Sequence, residues 1–174
     1  MRVVAGELGG RRLVAPRGSR VRPTADRVRE ALFSILGDVA GATVLDLYAG
    51  TGALAIEALS RGAERAVLVD TDIAAARRNV AALDLEGRCE LLRADVPRHL
   101  RRDEGEYDLV FCDPPYGLAD DLGPRLDPLI PPRLAAGGRV IVESDARTPL
   151  ELALPVVVER RYGDTLVRVH AQEA

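Results

Sequence analysis

The stretch Thr43-Val-Leu-Asp46-Leu-Tyr-Ala-Gly50-Thr-Gly52-Ala-Leu-Ala55 decides the fold. Residues 43–47 are apolar and β-prone, the glycines follow at once, and an apolar helical stretch opens at Ala53. A strand running through a glycine-rich turn into a helix opens an α/β sheet in which ligands collect at the carboxyl ends of the strands. Glycine reaches backbone angles closed to other residues and lets a ligand approach the main chain. The helix N-terminus behind the turn offers N–H groups with no partner inside the helix.

Outward from this unit the same alternation repeats. Residues 66–70 (AVLVD) predict a strand and 73–85 a helix stopped by Gly87. Residues 89–94 predict a strand, followed by a short helix to about Arg102; 107–112 (YDLVFC) predict the next strand. A proline-broken helix is expected over 122–134 and a strand over 138–144. Residues 156–170 predict two strands around Gly163-Asp164, a turn too tight for a parallel crossover. The expected fold is α/β: a doubly wound, mostly parallel, Rossmann-like sheet of seven strands with the last antiparallel. Upstream, Thr24 is a good helix cap, with Ala25, Val28, Leu32, Ile35 and Leu36 on one face before Gly37. Residues 2–5 and 11–15 flank Gly6, Gly9 and Gly10 and predict a small hairpin.

At 174 residues one domain is expected over 1–174, with a basic N-terminal extension (1–23) and a core (24–174). Hydrophobic residues make up 47% and charged residues 29%, which excludes a disordered chain and a coiled coil. No apolar run approaches a membrane span, and the first residues resemble no signal peptide, so a cytoplasmic setting is expected. Cys89 and Cys112 have neither metal nor disulfide-framework spacing, and no metal is expected. All 24 basic residues are arginine. Residues 1–30 hold eight of them against three acids, whereas the remainder holds 16 against 24. A basic head on an acidic body predicts a local anionic partner; a solvated arginine face is the alternative.

Two motifs carry chemistry. Ala49, Gly50 and Gly52 form the turn after the first strand, and Asp70 ends the second strand 20 residues beyond Gly50. Gly50-x-Gly52-x-x-Ala55 also satisfies a dinucleotide fingerprint. Asp46 tilts the choice: a carboxylate before the glycines suits the ammonium of an amino acid and repels a pyrophosphate. S-adenosylmethionine has an amino-acid end and no phosphate. Asp70 would then accept from the ribose hydroxyls. Asp95, at the end of the third strand, would accept from the adenine amine, or equally cap the next helix.

The fourth strand delivers Asp113-Pro114-Pro115-Tyr116. The prolines fix the backbone and remove donors, leaving carbonyls to face outward. Asp113, the Pro114 region and the Tyr116 ring together make acceptors beside a stacking platform, suited to an exocyclic amine on a planar base. Acceptors on both amine protons favour pyramidalisation and free the lone pair for attack on a methyl sulfonium. His99 and His170 lack partners at useful spacing, the cysteines pack as small hydrophobes, and Glu57 fits a structural role.

These residues resemble the RsmD family of bacterial 16S ribosomal RNA guanine-N2 methyltransferases. The resemblance rests on Asp46-Leu-Tyr-Ala-Gly-Thr-Gly-Ala-Leu54, Glu57-Ala-Leu-Ser-Arg-Gly62 and Asp113-Pro-Pro-Tyr116. It extends to Arg22-Pro-Thr-Ala-Asp-Arg-Val-Arg-Glu-Ala-Leu32, the most family-specific block, and to Tyr162-Gly-Asp-Thr165. It implies a class I methyltransferase dependent on S-adenosylmethionine, acting on one guanine of small-subunit rRNA; the expected partner is that rRNA or a 30S assembly particle, and a monomer is expected. It also implies that Asp46, Gly50, Gly52, Asp70 and Asp95 line the cofactor pocket and that Asp113 and Tyr116 hold the base. Asp70 stands where relatives more usually have Glu, and Ala5 where many have Gly. Arg11, Arg12, Arg20 and Arg22 are the candidate RNA contacts. Alternatives are a DNA adenine-N6 or other amino-methyltransferase, a dehydrogenase-like nucleotide module, and a non-catalytic ribosome-assembly binder. The first lacks room for a target-recognition domain, and Asp46 and the proline motif count against the second.

Overall fold

The computed structural model describes residues 1–15, 24–115 and 119–172. Helix α1 spans Thr24–Leu36, followed by β1 (Thr43–Leu47), α2 (Ala53–Ser60), β2 (Arg65–Asp70) and α3 (Ala74–Ala82). Then come β3 (Cys89–Arg93), α4 (Val96–Leu100), β4 (Tyr107–Cys112), α5 (Ala119–Leu126) and a 3-10 turn at Pro131–Arg133. Strands β5 (Leu134–Asp145), β6 (Val156–Tyr162) and β7 (Thr165–Ala171) complete the sheet. Its order is β3-β2-β1-β4-β5-β7-β6. Strands β1 to β5 pair in parallel, and β7 lies antiparallel between β5 and β6.

Burial follows position in the sheet. In β1, Val44 through Leu47 are all buried, as are Ala66 through Val69 in β2, because helices cover both faces of these central strands. The edge strands β3 and β6 contain no buried residue. Alternate side chains feed two cores. Val44, Leu109 and Phe111 face the cluster under α1, α2 and α3; Leu45, Leu47, Val110 and Cys112 face the cluster under α4 and α5. On α1, Val28, Leu32, Phe33 and Leu36 join the first cluster, with the Phe33 and Phe111 ring centroids 5.9 Å apart.

Two expectations need correction. The proline-broken helix expected over 122–134 is shorter than expected: α5 carries Pro124 within it and ends at Leu126 ahead of Pro128; Pro131 and Pro132 open a 3-10 turn, and β5 starts at Leu134 instead of 138. The early start produces an irregularity in which Leu134 pairs with Tyr107 but Arg139 with Leu109, so regular pairing resumes only after Gly138. Helix α3 ends before Gly87, because Asp84 takes a left-handed φ of 57° and the Leu85 N–H returns to the Val80 carbonyl. The expected N-terminal hairpin is present: its limbs meet at the antiparallel Arg2–Arg12 bridge, with the Val3 N–H donating to the Arg11 carbonyl at 2.9 Å and the Leu13 N–H to the Met1 carbonyl at 3.1 Å. Its Val3 and Leu13 join the first core cluster.

Candidate active site

The order of the sheet reverses between β1 and β4, and a crevice opens there at the carboxyl ends of the strands. Leu47 is in register with Val69 on one side and Cys112 on the other. The pairing carries past the strand ends. The N–H groups of Tyr48 and Ala49 donate to the Val69 carbonyl at 2.9 and 3.2 Å, and the Asp113 N–H approaches the Leu47 carbonyl at 3.4 Å. Gly52 opens α2 in a left-handed conformation (φ 75°), and a Cβ there would stand 2.8 Å from the Leu68 side chain. Only glycine combines that angle with that close approach.

A cleft of about 180 Å³ lies over this switch point. Asp46, Tyr48, Ala49, Gly50, Thr51 and Asp113 line it, together with Arg29 and Leu32 of α1, Glu143 of β5 and Met1. Gly52, Asp70, Asp95 and Pro114 are not among its lining residues. A larger open groove of about 570 Å³ runs between α5 and residues 149–153, and none of the described motif residues borders it.

Asp46 is 2% exposed, and its Oδ2 accepts the Ala55 N–H at 3.1 Å. Burial, with a smaller contribution from nearby Asp70, pushes its carboxyl up to about 7. A buried acid bordering a cleft is suited to a cationic ligand group, so the donor set fits the ammonium of S-adenosylmethionine. The sign follows directly: the acid must be ionised to hold the cation, and below its raised pKa it is neutral. Affinity for S-adenosylhomocysteine, which keeps the ammonium, should therefore fall roughly tenfold per pH unit below 7 and level off above it. Calorimetry from pH 5.5 to 8.5 checks this, and a flat profile would remove Asp46 from the ammonium site.

Asp70 ends β2 with its carboxylate already engaged: Oδ2 accepts the Gly50 N–H at 2.8 Å, and Oδ1 accepts the Asp72 N–H at 3.0 Å. It thus shapes the glycine turn from the end of β2. Removing it by Asp70→Ala should weaken cofactor binding by about 1–3 kcal/mol. Unchanged affinity in a titration would count against the ribose role. Asp95 caps α4, its Oδ2 accepting the Arg98 N–H at 3.2 Å, so the capping alternative is present in the structure.

Asp113 is half-buried and Pro114 buried, while Pro115 is exposed. Tyr116 lies outside the described residues, as do Arg20 and Arg22. Arg11 and Arg12 are exposed on the N-terminal arm. Cys112 is buried directly before Asp113, and burial pushes its thiol up, which fits an inert packing residue. Tyr48 holds a positive φ of 62°. Its hydroxyl is buried without a hydrogen-bond partner among the described residues.

Two polar residues of α2 and α3 organise the site's surroundings. Glu57 is fully buried. Its carboxylate accepts the Val4 N–H (2.7 Å) and Ala5 N–H (3.0 Å), and pairs with Arg61 (2.8 Å) and Arg29 (3.4 Å). Arg29, 4% exposed, also meets Asp26 at 2.9 Å and donates to the Arg2 carbonyl. Asn79, 1% exposed, reaches both the arm and the glycine turn. One signal could have exposed both: a lone polar residue on the apolar face of a short helix. Glu57 is flanked by Ile56, Ala58 and Leu59, and Asn79 shares a face with Ala75, Ala76 and Val80.

A family model described as "Conserved hypothetical protein 95" matches residues 1–171. Ribosomal RNA small subunit methyltransferase D of Escherichia coli is 38% identical over 127 residues, covering 70% of this chain and 64% of the relative. The chain belongs to the RsmD family. Bacillus subtilis YlbH is 41% identical over 124 residues, 67% of either chain. The aligned stretch spans about two thirds of the length of these curated relatives. The solved structure of yhhF from Escherichia coli superposes with a TM-score of 0.82 at 32% identity, covering 100% of this chain and 98% of that one. SMU.776, crystallised with SAH, shares the fold at a TM-score of 0.70 and 19% identity, covering 87% of this chain and 50% of that one.

Proposed function

We propose that this RsmD-family protein transfers a methyl group from S-adenosylmethionine to the exocyclic N2 amine of a guanine in 16S ribosomal RNA. The observation that carries the reading is the shared cleft: Asp46 and the glycine turn border it from β1, and Asp113 from β4. Relatives named for small-subunit rRNA methylation support the coarser statement, an rRNA methyltransferase dependent on S-adenosylmethionine. Among the described residues no helix is long and apolar enough to cross a membrane; an rRNA substrate would place the protein's work in the cytoplasm. We take the substrate to be rRNA, free or in a 30S assembly particle, and the enzyme to act as a monomer.

The cofactor supplies an electrophilic methyl group on a sulfonium sulfur. Asp46 would hold its ammonium, Gly50 and Gly52 would let it approach the main chain, and Asp70 would accept from its ribose. Asp113 would accept a hydrogen bond from the guanine amine, drawing the nitrogen out of conjugation and aiming its lone pair; as the new N–C bond forms the methyl–sulfur bond would break, and the amine's surplus proton would pass to solvent. Pro114 holds the chain in one conformation, and Tyr116 would stack on the base. Orientation and fixed acceptors then supply most of the rate. To test the assignment, the protein is incubated with labelled S-adenosylmethionine and 16S rRNA, or 30S particles, lacking the native methylation, and the modified base is mapped. Methylation of DNA adenine but not rRNA would select the alternative amino-methyltransferase.

The arm gives a second measurement. Changing Arg11, Arg12 and Arg20 to Glu should lower RNA affinity and flatten its salt dependence, by up to about 0.7–0.9 log unit for each phosphate that is no longer neutralised. RNA affinity across a salt series, wild type beside variant, checks this; equal slopes would assign the arginines to a solvated face.

A further inference from the structure

The N-terminal arm is built into the cofactor side of the molecule. Met1 borders the cleft, and the Thr51 hydroxyl donates to its sulfur at 3.6 Å. The Asn79 amide closes a second link. Its Oδ1 accepts the Val14 N–H at 2.7 Å, and its Nδ2 donates to the Val14 carbonyl at 3.0 Å and the Thr51 carbonyl at 2.9 Å. One buried side chain therefore pairs with the arm as a neighbouring strand would and also grips the residue between Gly50 and Gly52. Only an amide of this length supplies one acceptor and two donors from one site. The limbs of the arm are tied to each other and to the core, but Val14 is exposed and lies beyond the last of those bonds, Leu13 N–H to the Met1 carbonyl, so order at this end rests on the Asn79 link.

We propose that Asn79 is a positioning residue that couples the Val14 end of the arm to the glycine turn, so that filling the cofactor site steadies that end. This rests on the glycine turn being the cofactor site. Because equilibrium coupling is reciprocal, RNA bound at Arg11 and Arg12 would tighten cofactor binding by the same factor.

The test is hydrogen exchange of the Val14 amide in the full-length protein, with and without saturating S-adenosylhomocysteine, whose binding is measured separately by calorimetry. Bound ligand should slow Val14 exchange by about tenfold, within the usual range of coupling between sites. An amide on β7, distant from the link, serves as control and should not respond. The Asn79→Asp variant keeps the acceptor and loses both donors, so the ligand-induced slowing should fall below about twofold as the coupling disappears. If ligand binds the wild type but Val14 exchange is unchanged, coupling is overturned whatever the variant does. If slowing persists in a folded Asn79→Asp protein, Asn79 is not the link. If no ligand binds the wild type, the cofactor reading fails first and the coupling with it.

Discussion

Asp113→Ala should reduce methyl transfer to rRNA by at least about a hundredfold, the scale set by removing one fixed polar group from a reacting centre. Affinity for S-adenosylhomocysteine should stay within about twofold, because the carboxylate is assigned to the base and its removal acts on the transition state, not on cofactor binding. Asp113→Asn should fall between wild type and alanine, since the side-chain carbonyl still accepts a hydrogen bond. Single-turnover rates with labelled cofactor separate the chemical step from binding. Native-rate turnover by Asp113→Ala would mean that the amine is activated by something else.

The largest effect on stability should come from Glu57→Ala. The substitution leaves the Val4 and Ala5 N–H groups without their acceptor and removes the buried counter-charge of Arg29, which keeps only Asp26. Breaking a buried pair in this way costs about 3–5 kcal/mol. For a chain of this size that corresponds to a drop in melting temperature of roughly 10 °C, read by circular dichroism. Glu57→Gln keeps one acceptor and should lose less. A shift of under about 2 °C in Glu57→Ala would show that water takes over the carboxylate's partners, contrary to its burial.

The strands are legible in the sequence because five of them are short apolar runs separated by helical segments, and because Gly163-Asp164 permits only a hairpin. The sheet order is not legible in the same way. Nothing local in 107–112 says that it pairs with 43–47 across sixty residues; that follows from which apolar faces can be covered together. Asp46, the glycine turn and Asp113 stand out because polar or flexible residues terminate apolar strands. Glu57 and Asn79 are marked only as polar residues on apolar helix faces; their partners are not legible, because the Val4, Ala5 and Val14 main chain comes from more than fifty residues away. The proline-broken helix expected over 122–134 stops early for a local reason: Pro128, Pro131 and Pro132 each remove a donor and crowd the preceding turn, whereas Pro124 is carried inside α5.

Strand β7 follows β6 in the chain yet lies between β5 and β6. During synthesis β5 is therefore complete and can pair with β4 while its partner on the other edge does not yet exist, and β6, which emerges before β7, pairs with β7 and not with β5. Until Thr165–Ala171 leaves the ribosome, the Val140-Ile141-Val142 edge offers open main-chain groups beside apolar side chains. The nascent polypeptide thus passes through a stage at which its half-finished sheet is open to a neighbouring chain, and chaperones that shield such edges would act in that interval.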